Sequence, residues 1–179
     1  MANRSHVYVT DKLATKAKNK RGQFRGISEW GWDIPISHLL LVANKPRRVL
    51  SAIWKEHEIG IVGESKGAVE RLLRFIELLG AGKVKNQSDW DEAVDETQKF
   101  FAKKKSQGKW FVLEAGEIFD MSGNSLVKEC DAALKAIAAM VKKVDKALAG
   151  GEKPWLTKLR KNWEKELGLY WSDILYYEP

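Results

Sequence analysis

The chain predicts an α+β fold in one helix-rich domain, with a small, mainly antiparallel sheet covered by about five helices. Three observations carry that expectation. A length of 179 residues with 44% hydrophobic content suits one sizeable core. Short β-branched and aromatic runs near residues 6, 59, 110 and 172 read as strands. Longer segments between them repeat apolar residues at i, i+3, i+4 and i+7, the spacing of a helix with one buried face.

The first strand is His6–Thr10, ended by Asp11. A basic, apolar-poor loop spans 12–26, and Ile27–Asp33 reads as an aromatic turn, because Pro35 biases the residue before it away from helix. Helices are expected over Pro35–Ala43 and Pro46–Lys55, with Asn44 between them as a terminator. Ile59–Val62 is the second strand. Ala68–Leu79 then carries Val69, Leu72, Leu73, Ile76 and Leu79 on one face and stops at Gly80-Ala81-Gly82. Ser88 is placed to cap the next helix, which buries Trp90, Val94, Phe100 and Phe101 and closes on Lys103–Lys105, where positive charge meets the helix C-terminus. Trp110–Leu113 is the third strand and Glu114–Met121 an acidic turn. Ser125–Leu148 is the longest helix, Pro154–Leu167 follows it, and Leu169–Tyr177 reads as a final strand returning to the sheet.

Composition narrows the function. Seven basic groups against the single acid Asp11 give residues 1–25 a charge of +6, so the rest of the chain carries only +1 of the total +7. The asymmetry is local. No stretch approaches the roughly twenty apolar residues of a membrane span, and no apolar leader opens the chain, so a cytoplasmic protein without membrane contact is expected. Cys130, the single cysteine, shares a helical face with Leu126, Leu134, Ile137, Val141 and Val144, which makes it a core thiol. One cysteine and three scattered histidines leave no zinc ligand set, and no metal or cofactor is expected.

Two strings resemble catalytic motifs. Gly63-Glu64-Ser65-Lys66-Gly67 spells a nucleophile elbow, but the histidine base of an α/β-hydrolase follows its serine, whereas His6, His38 and His57 all precede Ser65. Ser125 and Lys128 spell S-x-x-K without its S-D-N and K-T-G companions, and helix capping accounts for the spacing. No catalytic residue is assigned, and the chain is read as a non-enzyme.

Five segments carry a wider likeness: Met1-Ala2-Asn3-Arg4-Ser5 with Tyr8, Gly26–Trp30 leading to Trp32-Asp33-Ile34-Pro35, Glu117-Ile118-Phe119-Asp120-Met121, Trp171-Ser172-Asp173, and Tyr176-Tyr177. Together they resemble an uncharacterised family of small bacterial proteins whose relatives are similar to toxin-neutralising immunity proteins. The resemblance implies a binding activity, with the protein blocking one cognate antibacterial toxin. The candidate partner-binding residues are the basic Lys16, Lys18, Lys20, Arg21 and Arg25, the aromatic Trp30 and Trp32, and the acidic Glu114, Glu117 and Asp120. The cations would suit an acidic toxin surface and the carboxylates a basic cleft. Nucleic-acid binding through the basic 12–25 segment, with Trp30 or Trp32 stacking on bases, is the alternative.

Overall fold

The computed structural model describes residues 3–16 and 23–179, so Lys18, Lys20 and Arg21 lie outside the described residues. Five strands form one sheet: β1 (Arg4–Thr10), β2 (Phe24–Gly31), β3 (Arg47–Val49), β4 (Gly60–Glu64) and β5 (Trp110–Glu114). Their order is β2-β1-β5-β4-β3, and every neighbouring pair is antiparallel. The α-helices are α1 (Ile36–Leu41), α2 (Ala68–Gly80), α3 (Gln87–Phe101), α4 (Gly116–Asp120), α5 (Leu126–Leu148) and α6 (Lys153–Glu166), with a short 3-10 turn over Lys104–Ser106. The expected α+β class holds.

Strand alternation divides the sheet. Val7, Val9, Ile61, Phe111 and Leu113 face the helices and join the main core with Leu40, Leu72, Phe75, Ile76, Ile137 and Leu159. Tyr8, Val62 and Val112 point the other way into a smaller cluster with Phe24, Ala52 and Leu175. No helix covers this second cluster among the described residues; loops bearing Leu13 and Ala14, Ala52 and Ile53, and Leu175 lie over it, while Leu169 and Trp171 of the C-terminal segment pack on the main core.

The strongly periodic helices form where their spacing places them. Ser125 accepts the Lys128 amide at 3.3 Å and caps α5, as expected of a serine at that position. Arg160 of α6 donates to the carbonyls of Leu78 and Leu79 in the last turn of α2, the second of which also accepts the Gly82 amide. Trp163 packs edge-on to Trp90 at 5.2 Å and donates to the Lys85 carbonyl, which locks α6 against α3.

Several weaker signals resolve differently. Phe24–Gly31 is a strand rather than a loop and aromatic turn, because pairing with β1 along its whole length overrides a local sequence containing two glycines; a register shift at Val7/Tyr8 accommodates it. Pro46–Lys55 is not helical, since Arg47–Val49 pairs with β4 and the following residues turn. Residues 169–177 are not a strand. They run beside β2 with one backbone bond, Ser172 N–H to the Ile27 carbonyl, and otherwise bond through side chains. Asn86, not Ser88, precedes α3, and the lysine run follows the end of that helix at Phe101 rather than closing it. The acidic turn divides into the end of β5 and the short α4.

Candidate partner-binding face

The loop-covered side of the sheet holds most of the polar chemistry, because alternation puts His6, Glu29 and Glu114 on it at paired positions. Glu114 is buried. Its carboxylate accepts the Ser51 hydroxyl at 2.5 Å and the Ala52 amide at 2.8 Å. Ser51 Oγ in turn accepts the amides of Ile53 and Trp54, so one carboxylate and one hydroxyl organise the whole 51–54 turn. Burial drives the Glu114 pKa up to about 7, against the pull of the Ser51 and Ala52 hydrogen bonds.

Beside it lies His6, whose Nε2 is buried without a hydrogen-bond partner, 3.8 Å from Glu29 Oε2. Desolvation lowers its pKa, opposed by the charges of Glu29 and Glu117 and by a backbone hydrogen bond at Glu114 and reinforced by Arg4. The C-terminal segment closes over this group. Tyr8 donates to the Tyr177 carbonyl at 2.7 Å, Tyr177 donates to Glu117 at 3.2 Å, and the Tyr176 amide donates to Glu29 at 2.9 Å. Arg4 stacks 4.8 Å from the centre of the Tyr176 ring, and its amide donates to Glu117.

On the opposite side of the sheet, His38 is fully buried between Ser5 and Ser28, at 3.0 and 2.9 Å. Burial lowers its pKa to about 3, with His6 adding to the shift, so the ring is neutral. A neutral imidazole donates one proton and accepts another. One of the two serines therefore turns its hydroxyl proton to the ring and away from its other acceptor, the Asp33 or the Tyr170 carbonyl.

The exposed surface is equally uneven. The large hydrophobic residues that remain exposed among those described are Trp32 (61%), Tyr170 (53%), Ile174 (76%) and Tyr176 (59%), together with Met121 and Val127. The first four lie on the end of β2 and the segment that runs beside it. Trp32 adopts a left-handed backbone, with φ +69°, and its amide donates to the Asn3 carbonyl, next to the Arg4 that stacks on Tyr176. A cavity of about 850 Å³ opens nearby, between the 50–56 turn, Lys16 and residues 177–179.

The expected site residues thus separate. Trp32 and Asp120 are exposed, Lys16 lines the cavity, and Trp30 and Glu117 are half-buried. Arg25 does not join a basic face with Lys16: its guanidinium donates to the carbonyls of Lys105 and Gln107 and pairs with Asp11 at 3.7 Å. Glu114 cannot meet a partner at the surface, since strand alternation turns it into the interior. Sequence reasoning assigns no binding role to His6, Glu29, Tyr170 or Ile174, and the Tyr176-Tyr177 pair enters it only as part of a family string.

Neither catalytic spelling forms a catalytic arrangement among the described residues. Ser65 follows β4 and precedes α2 in a strand-turn-helix, with Gly67 supplying the φ of +77°, but its hydroxyl donates to the Gly108 carbonyl and shares no hydrogen bond with a histidine. Cys130 is buried, and desolvation pushes its thiol up to about 12, far from a thiolate nucleophile. No group of three or more metal-ligating side chains occurs among the described residues.

Fold and surface together define an α+β protein whose helix-covered face carries the main apolar core with the buried His38-Ser5-Ser28 group set in it, and whose loop-covered face holds the buried Glu114 and His6 and is flanked by exposed aromatics. The chain belongs to the family described as Domain of unknown function (DUF7822), whose model matches residues 11–154. No curated protein and no solved structure matches it.

Proposed function

We propose that the protein is a non-enzymatic binding protein that recognises a protein partner with its loop-covered face, and that its role is that of an immunity protein blocking a cognate antibacterial toxin in the bacterial cytoplasm. The observation that carries the reading is the exposure of Trp32 just after β2 and of Tyr170, Ile174 and Tyr176 on the segment that runs beside that strand. Tryptophan, tyrosine and arginine dominate the energetics of protein interfaces, because they bury much area at small conformational cost. Here Arg4 stands among them, already stacked on Tyr176. The sheet and the buried Glu114 and His6 cluster hold this surface rigidly, which lowers the ordering cost of binding. The toxin-blocking role itself rests on the sequence resemblance.

The test is a pull-down of the tagged protein from its host lysate at moderate and high salt. One stoichiometric protein should survive high salt and be lost with the Trp32→Ala/Ile174→Ser double variant. Retention that ignores the double variant, or no retained protein, overturns the proposal. Nucleic acid that elutes with salt would instead favour the alternative binding role.

A further inference from the structure

Arg4, Arg25, Arg48, Arg71 and Arg160 each place guanidinium nitrogens on a carboxylate or carbonyl of the chain. Arg47 and Arg74 do not, among the described residues, and of these two Arg47 alone is held against an aromatic ring. It is exposed on β3, the edge strand farthest from β2, and its guanidinium reaches back across β4 to lie 5.5 Å from the centre of the Trp110 ring. The ammonium of Lys109 lies over the same ring at 5.6 Å. Neither cation has a carboxylate partner among the described residues. Two cations are thus held in place by one half-buried indole, with every guanidinium donor of Arg47 unspent.

We propose that this Arg47-Trp110-Lys109 corner receives a carboxylate-bearing patch on the partner of the preceding section, an inference that rests on the protein-binding reading and adds the sign of the partner's surface. A stacked guanidinium is the group best matched to carboxylate, since its planar fork offers parallel N–H donors and the indole has already fixed its plane. The ring contributes cation–π attraction without neutralising either charge.

A folded acidic protein fits better than a nucleic acid for two reasons. Arg47 and Lys109 already lie over the Trp110 ring, so a base stacking there would compete with both. The corner also mixes signs: Glu64, paired with Trp110 in the sheet, binds Lys45 at 2.9 Å, and Asp11 accepts the Lys109 amide and pairs with Arg25. Fixed carboxylates among the cations would repel a continuous phosphate backbone, whereas a protein surface can place its acids at Arg47 and Lys109 alone.

The test uses poly-L-glutamate and single-stranded oligothymidylate as probes of the intact protein, followed by titration calorimetry at low salt. The Arg47→Gln/Lys109→Gln variant should bind poly-L-glutamate roughly tenfold more weakly, while Arg74→Gln, which removes an exposed cation from α2, should change it less than about twofold. Arg47→Lys should recover only part of the loss, because it keeps the charge and removes the fork. Equal losses in the Arg74 and Arg47/Lys109 variants would mean that net charge alone acts, and would overturn the proposal. Tighter binding of oligothymidylate than of poly-L-glutamate, lost in the same double variant, would overturn it in favour of nucleic acid. A partner captured from lysate that still binds the Arg47/Lys109 variant would sink this inference and leave the protein-binding function standing.

Discussion

The two faces of the sheet are built on opposite principles. Towards the helices, side chains are mainly apolar and interlocked, with one buried polar group at His38, Ser5 and Ser28, and the face is secured by periodic helices whose caps and spacing are written locally. Towards the loops, a carboxylate, an imidazole and the Tyr8 ring are buried under turns that hold together mainly by side-chain hydrogen bonds. The first arrangement yields a scaffold with little chemistry. The second costs desolvation at Glu114 and His6 and returns a surface on which aromatic groups stand in fixed positions.

The largest expected effect belongs to the helix-covered face. A Cβ on Gly63 would lie 2.2 Å from the Val42 carbonyl oxygen, an impossible approach to backbone that cannot be relieved by rotating a side chain. Gly63→Ala should therefore force β4 away from the residues after α1 and destabilise the protein by at least about 3 kcal/mol. Urea unfolding measures this directly. A variant within 1 kcal/mol or so of wild type would show that the close contact is not obligatory.

On the loop-covered face the corresponding test is pH. The Glu114 pKa rises on folding from 4.5 to about 7, so the folded state binds this proton more tightly than the unfolded chain does. Its contribution is fully present below 4.5 and is lost as pH climbs through 7, an effect of roughly 3 kcal/mol. His6 and His38 act in the opposite sense. Their pKa values are lowered from 6.5, so their contribution is present above 6.5 and is lost as pH falls through the lowered values. Between about pH 5 and 6.5 the histidine slopes oppose that of Glu114, so wild-type stability should change less with pH than Glu114 alone dictates; above 6.5 it should decline and then level off once Glu114 is ionised, beyond about pH 7. Glu114→Gln should remove the decline and unmask a steady loss on acidification. Identical pH profiles for the two proteins would refute the assignment.

Ser28→Ala probes the join between the faces, since Ser28 bonds the buried His38 on the helix side and the Tyr170 carbonyl of the C-terminal segment. Its loss leaves a buried ring nitrogen and a carbonyl short of a partner, at about 1 to 2 kcal/mol. Amide exchange at Ser172, whose N–H meets the Ile27 carbonyl, should quicken more than exchange in α5. Uniform change across the chain would show that the segment is not specifically held by this residue.

The same division explains what could be read from sequence. α2, α5 and α6 were legible because each contains its own evidence: an apolar stripe and a glycine or serine at a boundary. β1, β4 and β5 were legible as short runs of β-formers. β2 was not, because Gly26, Arg25 and Glu29 give it no local preference and β1 alone makes it a strand. β3, at three residues, has too little pattern to oppose a helix reading begun by Pro46. Residues 169–177 misled in the other direction, with strand-like composition but side-chain anchoring. The candidate site was the least legible part. Trp32 could be named from composition, but that Glu114 is interior, that His6 faces Glu29 and that Ile174 is exposed depend on register and packing across distant parts of the chain.

The smallest expected stability effect falls on the proposed binding surface. Trp32 and Ile174 are exposed, and the side chain of neither takes part in a core cluster. Trp32→Ala and Ile174→Ser should each change stability by less than about 0.5 kcal/mol, and Ile174→Ser should raise solubility by removing an exposed apolar group. If the face binds a partner, the same two substitutions should weaken capture by at least about tenfold, since truncating a central aromatic anchor costs more than 1 kcal/mol of binding energy. The combination of unchanged unfolding and lost capture is the signature of an interface. A large loss of stability would instead make these residues structural, and unchanged capture would move the interface away from the β2 end altogether.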